Sequence, residues 1–183
     1  QPSALQAQEP LEDVYNYANN ENDYENEYDD DLNPLLRAVR YGDYKAVKRM
    51  LENGADVNLV RRGEGTPLTM AIRVGESKII QLLMEKGADP NLGTDSDGYP
   101  LWMAARKGDI KLVKLLISKG ADVNTKYKGD GSALIQACKS GNFEMVKALV
   151  ELKADVNMAV RGDGNPLIMA SRAGSLEVVE YLV

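Results

Sequence analysis

An all-α solenoid, made of helix-turn-helix units joined by hairpin loops, is what two properties of this chain predict. The first is a period of 33 residues that never slips. TPLTMAIRVGESKIIQLLMEKGADPNLGTDSDG over 66–98 returns as YPLWMAARKGDIKLVKLLISKGADVNTKYKGDG over 99–131 and as SALIQACKSGNFEMVKALVELKADVNMAVRGDG over 132–164. A copy over 33–65 precedes them, and an incomplete one over 165–183 follows. A fixed period of this length means stacked units, each covering the apolar face of its neighbour. The second property is that every unit carries helix-start and helix-stop chemistry at the same two places.

Residues 1–32 stand apart as an acidic tail or linker rich in Tyr and Asn. Residues 1–31 hold ten of the 28 acidic residues and none of the 22 basic ones. The remainder therefore has 18 acidic and 22 basic residues, a net of +4 against −6 for the whole chain. Low apolar content and the absence of any period predict disorder for this stretch, with at most a short helix near Pro10. Tyr15, Tyr17, Tyr24 and Tyr28 are scattered among the acids.

From residue 33 onward each unit opens on a cap position: Asn33, Thr66, Tyr99, Ser132 and Asn165. Proline follows in four of the five, as Pro34, Pro67, Pro100 and Pro166, with Ala133 in the other. Asn, Thr and Ser accept from orphan amides, and proline has no amide to leave unpaired there. Tyr99 cannot cap in this way, so its helix is expected to start less firmly. The first helix is short, with a recurring leucine and an alanine three residues on, as in Leu68 and Ala71. Large then small on one face lets neighbouring helices approach closely. A glycine then ends it, Gly75 in the second unit.

The second helix carries a broad apolar face, such as Ile79, Ile80, Leu82, Leu83 and Met84, and stops at Gly54, Gly87 or Gly120. Lys153 stands where the fourth unit should have that glycine, and a left-handed lysine would cost about 1 kcal/mol. A-D-x-N follows each second helix, with Asp56 and Asn58 the first pair. Short polar side chains there bond their own backbone and fix a turn. A polar loop then leads to the next unit.

These residues resemble the ankyrin repeat, through T-P-L at 66–68, the recurring Ala and Gly, and G-A-D-V-N at 54–58 and 120–124. The resemblance covers 33–183, about four and a half units. Its histidine, in T-P-L-H, is replaced by Leu36, Thr69, Trp102, Ile135 and Ile168, so that side chain's hydrogen bonds are expected to be missing. The glycine ahead of the helix is shifted by one place. The last unit lacks its closing turn, which implies a native chain continuing past Val183, and Gln1 reads as a processed or trimmed start. A weaker resemblance, resting on the loop type of 161–168, is to ankyrin arrays of bacterial membrane-bound sensor metallopeptidases. It implies an alternative role as a sensory or spacer domain of a larger bacterial membrane-anchored protein; the compartment, extracytoplasmic bacterial or cytoplasmic, stays open. No H-E-x-x-H peptidase motif is present.

Catalysis is not expected. The chain has no histidine, no phosphate-binding glycine loop and one cysteine, Cys138, aligned with small or apolar residues of the other first helices. The G-D-G tripeptides lack the alternating acidic spacing of calcium loops. No cofactor or metal is therefore predicted. Nothing here spans a membrane, and nucleic acid is a poor match for a chain of net charge −6.

Binding is the better expectation. The position five after each first-helix leucine is Arg40, Arg73, Arg106, Lys139 and Arg172, basic in all five units. Arg37 and Lys107 add charge, Tyr41 an aromatic ring, and Met70, Met103 and Met169 recur one turn earlier. The ankyrin resemblance implies that first helices line a concave face. Helices packed about 8–10 Å apart would hold these cations within about a Debye length, a ladder suited to an acidic protein or peptide. Trp102 is a further aromatic candidate, either in the face or filling the vacant histidine place. Loop tips Arg61, Arg62, Thr94, Asp95, Tyr127, Lys128 and Arg161 would add variable contacts. The acidic tail, 9–31, could lie across the same face of its own or a neighbouring molecule.

Overall fold

The computed structural model describes residues 33–127, 131–160 and 164–183. The acidic stretch 1–32, with the helix expected near Pro10, lies outside the described residues, as do Lys128 and Arg161. Among the described residues there are ten helices and no strand beyond isolated bridges. In chain order they are α1 Pro34–Arg40, α2 Tyr44–Glu52, α3 Pro67–Val74, α4 Ser77–Glu85, α5 Pro100–Lys107, α6 Ile110–Ser118, α7 Ala133–Ser140, α8 Phe143–Glu151, α9 Pro166–Ala173 and α10 Leu176–Leu182. Each 33-residue period contributes one pair, giving an all-α repeat solenoid.

The first helices start where their side-chain chemistry places them. Asn33 Oδ1 accepts the Leu35 N–H at 2.9 Å, and Asn165 Oδ1 accepts the Ile168 N–H at 2.9 Å. Thr66 and Thr69 form a reciprocal cap: the Thr69 N–H donates to Thr66 Oγ1 at 3.0 Å and the Thr66 N–H to Thr69 Oγ1 at 2.8 Å. In this repeat, side-chain bonding expected to be missing with the histidine is therefore supplied by threonine. Tyr99 makes no cap bond, as its side chain dictates.

First helices pack in a row, α1 on α3, α3 on α5, α5 on α7 and α7 on α9, with each second helix against its own partner. Each inner first helix, α3, α5 and α7, is thus hemmed in by a neighbour on either side and by its own second helix. In α3 and α5 the six residues starting at Pro67 and Pro100 are all buried, and only the last turn emerges. One apolar core runs from Leu35 to Val178.

Four short hairpins close on antiparallel bridges, Arg61 with Gly65, Thr94 with Gly98, Tyr127 with Gly131 and Val160 with Gly164. Gly98 has φ +92°, and a Cβ there would lie 3.1 Å from Met103 Cγ, so glycine lets the start of α5 tuck beneath its own hairpin. After each second helix the aspartate behaves as expected, with Asp89 Oδ1 accepting the Asn91 N–H at 2.8 Å. The asparagine does something further and reaches into the next repeat. Asn58 Oδ1 accepts the Asp89 N–H at 2.8 Å, and Asn124 Oδ1 accepts the Asp155 N–H at 2.8 Å. Lys153 is left-handed, at φ 73°, and is the one non-glycine with positive φ among the described residues.

Candidate functional site

The recurring cation occupies the last turn of each first helix, which is where the enclosed helix reaches solvent. A cation there also complements the negative end of the helix dipole. Arg40, Arg73, Arg106 and Arg172 are exposed and Lys139 is half-buried.

Two of these cations, Arg73 and Arg106, meet Lys107 in one cleft between the second and third repeats. It has a volume of about 570 Å³ and is lined by Arg73, Asp97, Gly98, Trp102, Arg106 and Lys107, together with Met103, Asp95 and Ser96. Lys107 Nζ donates to the Arg73 carbonyl oxygen at 2.9 Å, tying α5 to α3. Arg73 Nη2 donates to the Asp97 carbonyl oxygen at 3.2 Å and lies 3.7 Å from Asp97 Oδ1. The Arg106 guanidinium carbon sits 4.9 Å from the centre of the Trp102 ring, a cation–π contact.

Asp97 is the cleft's built-in carboxylate, its side chain only 6% exposed. Burial alone would raise its pKa. The hydroxyls of Thr94 and Ser96, at 2.6 and 2.7 Å from Oδ2, act against that, and together with Arg73 and the Gly63 backbone they hold the acid below its ordinary value. Trp102 is 9% exposed, and its buried Nε1–H has no acceptor among the described residues.

A family model described as ankyrin repeats, three copies, matches residues 6–94, 35–127 and 101–183. The chain belongs to the ankyrin-repeat family. No curated protein matches it. Ankyrin repeats are generally protein–protein interaction modules, so the exposed last turns and hairpin tips of this ankyrin array are the surfaces to weigh.

The ankyrin stacking corrects part of the expected face. Met70, Met103 and Met169 are 1%, 8% and 4% exposed, so they are core residues rather than contact rungs. The ladder position lies in the last turn, but the methionine lies one turn earlier, where flanking repeats enclose the helix. Of the three, only Met103 lines the cleft. Tyr127 is likewise no loop-tip contact. It is buried and stacks on Tyr99 with ring centres 4.6 Å apart, while the Tyr99 hydroxyl donates to Asp95 at 3.1 Å. Thr94 is half-buried and spends its hydroxyl on Asp97.

Other expected contacts stay at the surface without joining the cleft. Arg62 and Tyr41 are exposed, and Arg61 lies 4.0 Å from Glu64. Arg37, Arg40, Tyr41, Arg61 and Lys139 each engage other groups of the chain. Asp97 and Ser96 were not anticipated as site residues. The available signal was the hairpin acid of each G-[ED]-G or S-D-G, which in the second repeat falls 24 residues after the ladder arginine.

Nucleophilic chemistry has little to work with in these repeats. Cys138 is fully buried, and burial pushes its thiol up to about 12. Among the described residues no group of three or more Cys, Asp or Glu is placed to hold a metal, and no helix is long and apolar enough to cross a membrane.

Proposed function

We propose that this ankyrin array is a protein-interaction module that binds an acidic segment of a partner along the last turns of its first helices. We further propose that its own residues 9–31 compete for that face. The observation that carries this reading is the convergence of Arg73, Arg106 and Lys107 in one cleft, on a ladder that is basic in all five repeats. Neighbouring cations repel one another mildly, and an acidic chain laid across them relieves that repulsion. The tail carries ten acids and no base and is joined directly to the first repeat. Tethering raises its local concentration to about millimolar, so weak contacts suffice for masking.

The test compares the full chain with one whose ten tail acids are replaced by Asn and Gln. Both are titrated with an acidic peptide at low and high salt. The expected result is tighter binding, by about tenfold, once the tail is neutral, and weakening with salt in both. Equal affinity in the two chains removes the masking. Affinity indifferent to salt removes the electrostatic face as well.

A further inference from the structure

Resting on that reading, we propose that the cleft between α3 and α5 is its anchoring subsite, where Arg106 and Lys107 take one carboxylate side chain of the acidic partner and Arg106 leaves the Trp102 ring to do so.

Charge accounting inside the cleft points to this pair. Asp97 is already committed to Arg73, Thr94 and Ser96, and Asp95 accepts from Tyr99. Lys107 uses one of its three donors, on the Arg73 carbonyl. Arg106 lies over the indole in a cation–π contact, which a carboxylate able to take its N–H fork can outcompete. Two cationic donors, on adjacent residues of one helix, are thus available to an incoming acid. Arg73 and Asp97 show, in the same cleft, how a carboxylate is already held there.

Trp102 supplies the second, independent observation. Its indole N–H is buried without an acceptor among the described residues, and an unpaired buried donor disfavours the state that contains it. The state with Arg106 lying over the ring is therefore not the best the cleft can offer. When the guanidinium swings to a partner carboxylate, the ring is released to turn its N–H toward the same acceptor. The volume, about 570 Å³, admits an acidic side chain and the backbone that carries it.

Trp102 is the single tryptophan of the chain, so its emission reports on this cleft alone. The probe is a short poly-glutamate peptide added to the full chain with neutralised tail acids, with poly-glutamine as the uncharged control. Affinity is measured by calorimetry and Trp102 emission is followed in parallel. The proposal expects emission to change with the same midpoint as binding. It also expects the double variant Arg106→Gln, Lys107→Gln to lose affinity by about tenfold or more together with the emission change. The double variant Arg40→Gln, Arg172→Gln should lose about two- to threefold and keep the signal. Arg106→Lys, which keeps the charge and loses the fork, should weaken binding in between, and it serves if the double cleft variant melts early. Equal losses in both double variants, with a silent Trp102, overturn the subsite and leave the general face standing. No binding of poly-glutamate by any form overturns both.

Discussion

Asn91 in one repeat accepts the backbone N–H of Asp122 in the next, at 2.9 Å. The same amide donates through Nδ2 to the Gly120 carbonyl oxygen, also at 2.9 Å. One side chain thus holds both a donor and an acceptor at the turn that follows the neighbouring second helix. Asn58 and Asn124 repeat the arrangement.

Asn91→Ala removes two hydrogen bonds at a partly solvated edge and is expected to destabilise by about 1–2 kcal/mol. In a stack where each repeat leans only on its neighbours, the loss should fall on the junction of the second and third repeats. Urea unfolding checks the size. Hydrogen exchange checks the place, since the Asp122 amide should exchange faster. Asn91→Asp keeps the acceptor and loses the donor, so it should recover part of the deficit. An unchanged midpoint for Asn91→Ala would show that water replaces the amide without loss.

How much of this was legible in the chain differs from residue to residue. Caps, helix ends and the two-helix period could be read because they depend on local chemistry that one repeat contains, as in Thr66, Gly75 and Leu68. Asp89 could be read for the same reason. Asn91 could not, because its partners lie 29 and 31 residues away, in a turn whose distance depends on how repeats stack. The period picks out the ladder cations, and the same period puts the methionines beside them on the exposed face, a placement that the burial of Met70, Met103 and Met169 corrects. Recurrence at a fixed position shows equivalence but does not say which face is enclosed. Trp102 against Arg106 is peculiar to one repeat, so no comparison between repeats could expose it.

Lys153 offers the reverse case, a local rule that is broken. It stands left-handed at φ 73°, where the other repeats have Gly54, Gly87 and Gly120. Lys153→Gly should stabilise by about 1 kcal/mol, since the side chain's clash with its own backbone is removed. The fold already adopts the required angle, so no rearrangement should follow. The check is a higher urea midpoint with an unchanged slope. A lower midpoint would mean that the glycine's extra freedom in the unfolded chain outweighs the relief.

Asp97 gives the second repeat an acid-sensitive element. Its folded pKa is lowered from 3.8, so it contributes stability that is fully present above that value and is lost as pH falls through the lower folded one. Burial works against this, and the Thr94 and Ser96 hydroxyls together with Arg73 overcome it. Asp97→Asn should therefore lower stability at neutral pH and flatten the fall in stability below 3.8. Urea midpoints for both proteins on either side of that pH decide it. Parallel curves would show that the acid limb belongs to other carboxylates.

At the alkaline end the stacked pair Tyr99 and Tyr127 should dominate. Burial raises the Tyr127 phenol well above the ordinary 10.0, with Asp122 and Tyr99 adding to it against a hydrogen bond to Thr125. Burial and Asp95 raise Tyr99 as well. A raised folded pKa means stability fully present below 10.0 and lost as pH climbs through the folded values, because the unfolded phenols ionise first. Spectrophotometric titration should therefore show a late phenol step, above 10.0, that coincides with loss of helical circular dichroism. Tyr127→Phe keeps the ring on Tyr99 and removes the titrating group, so it should move the alkaline midpoint to higher pH. A late step that stays in Tyr127→Phe, with no shift of the unfolding midpoint, would place the alkaline weakness elsewhere in the stack.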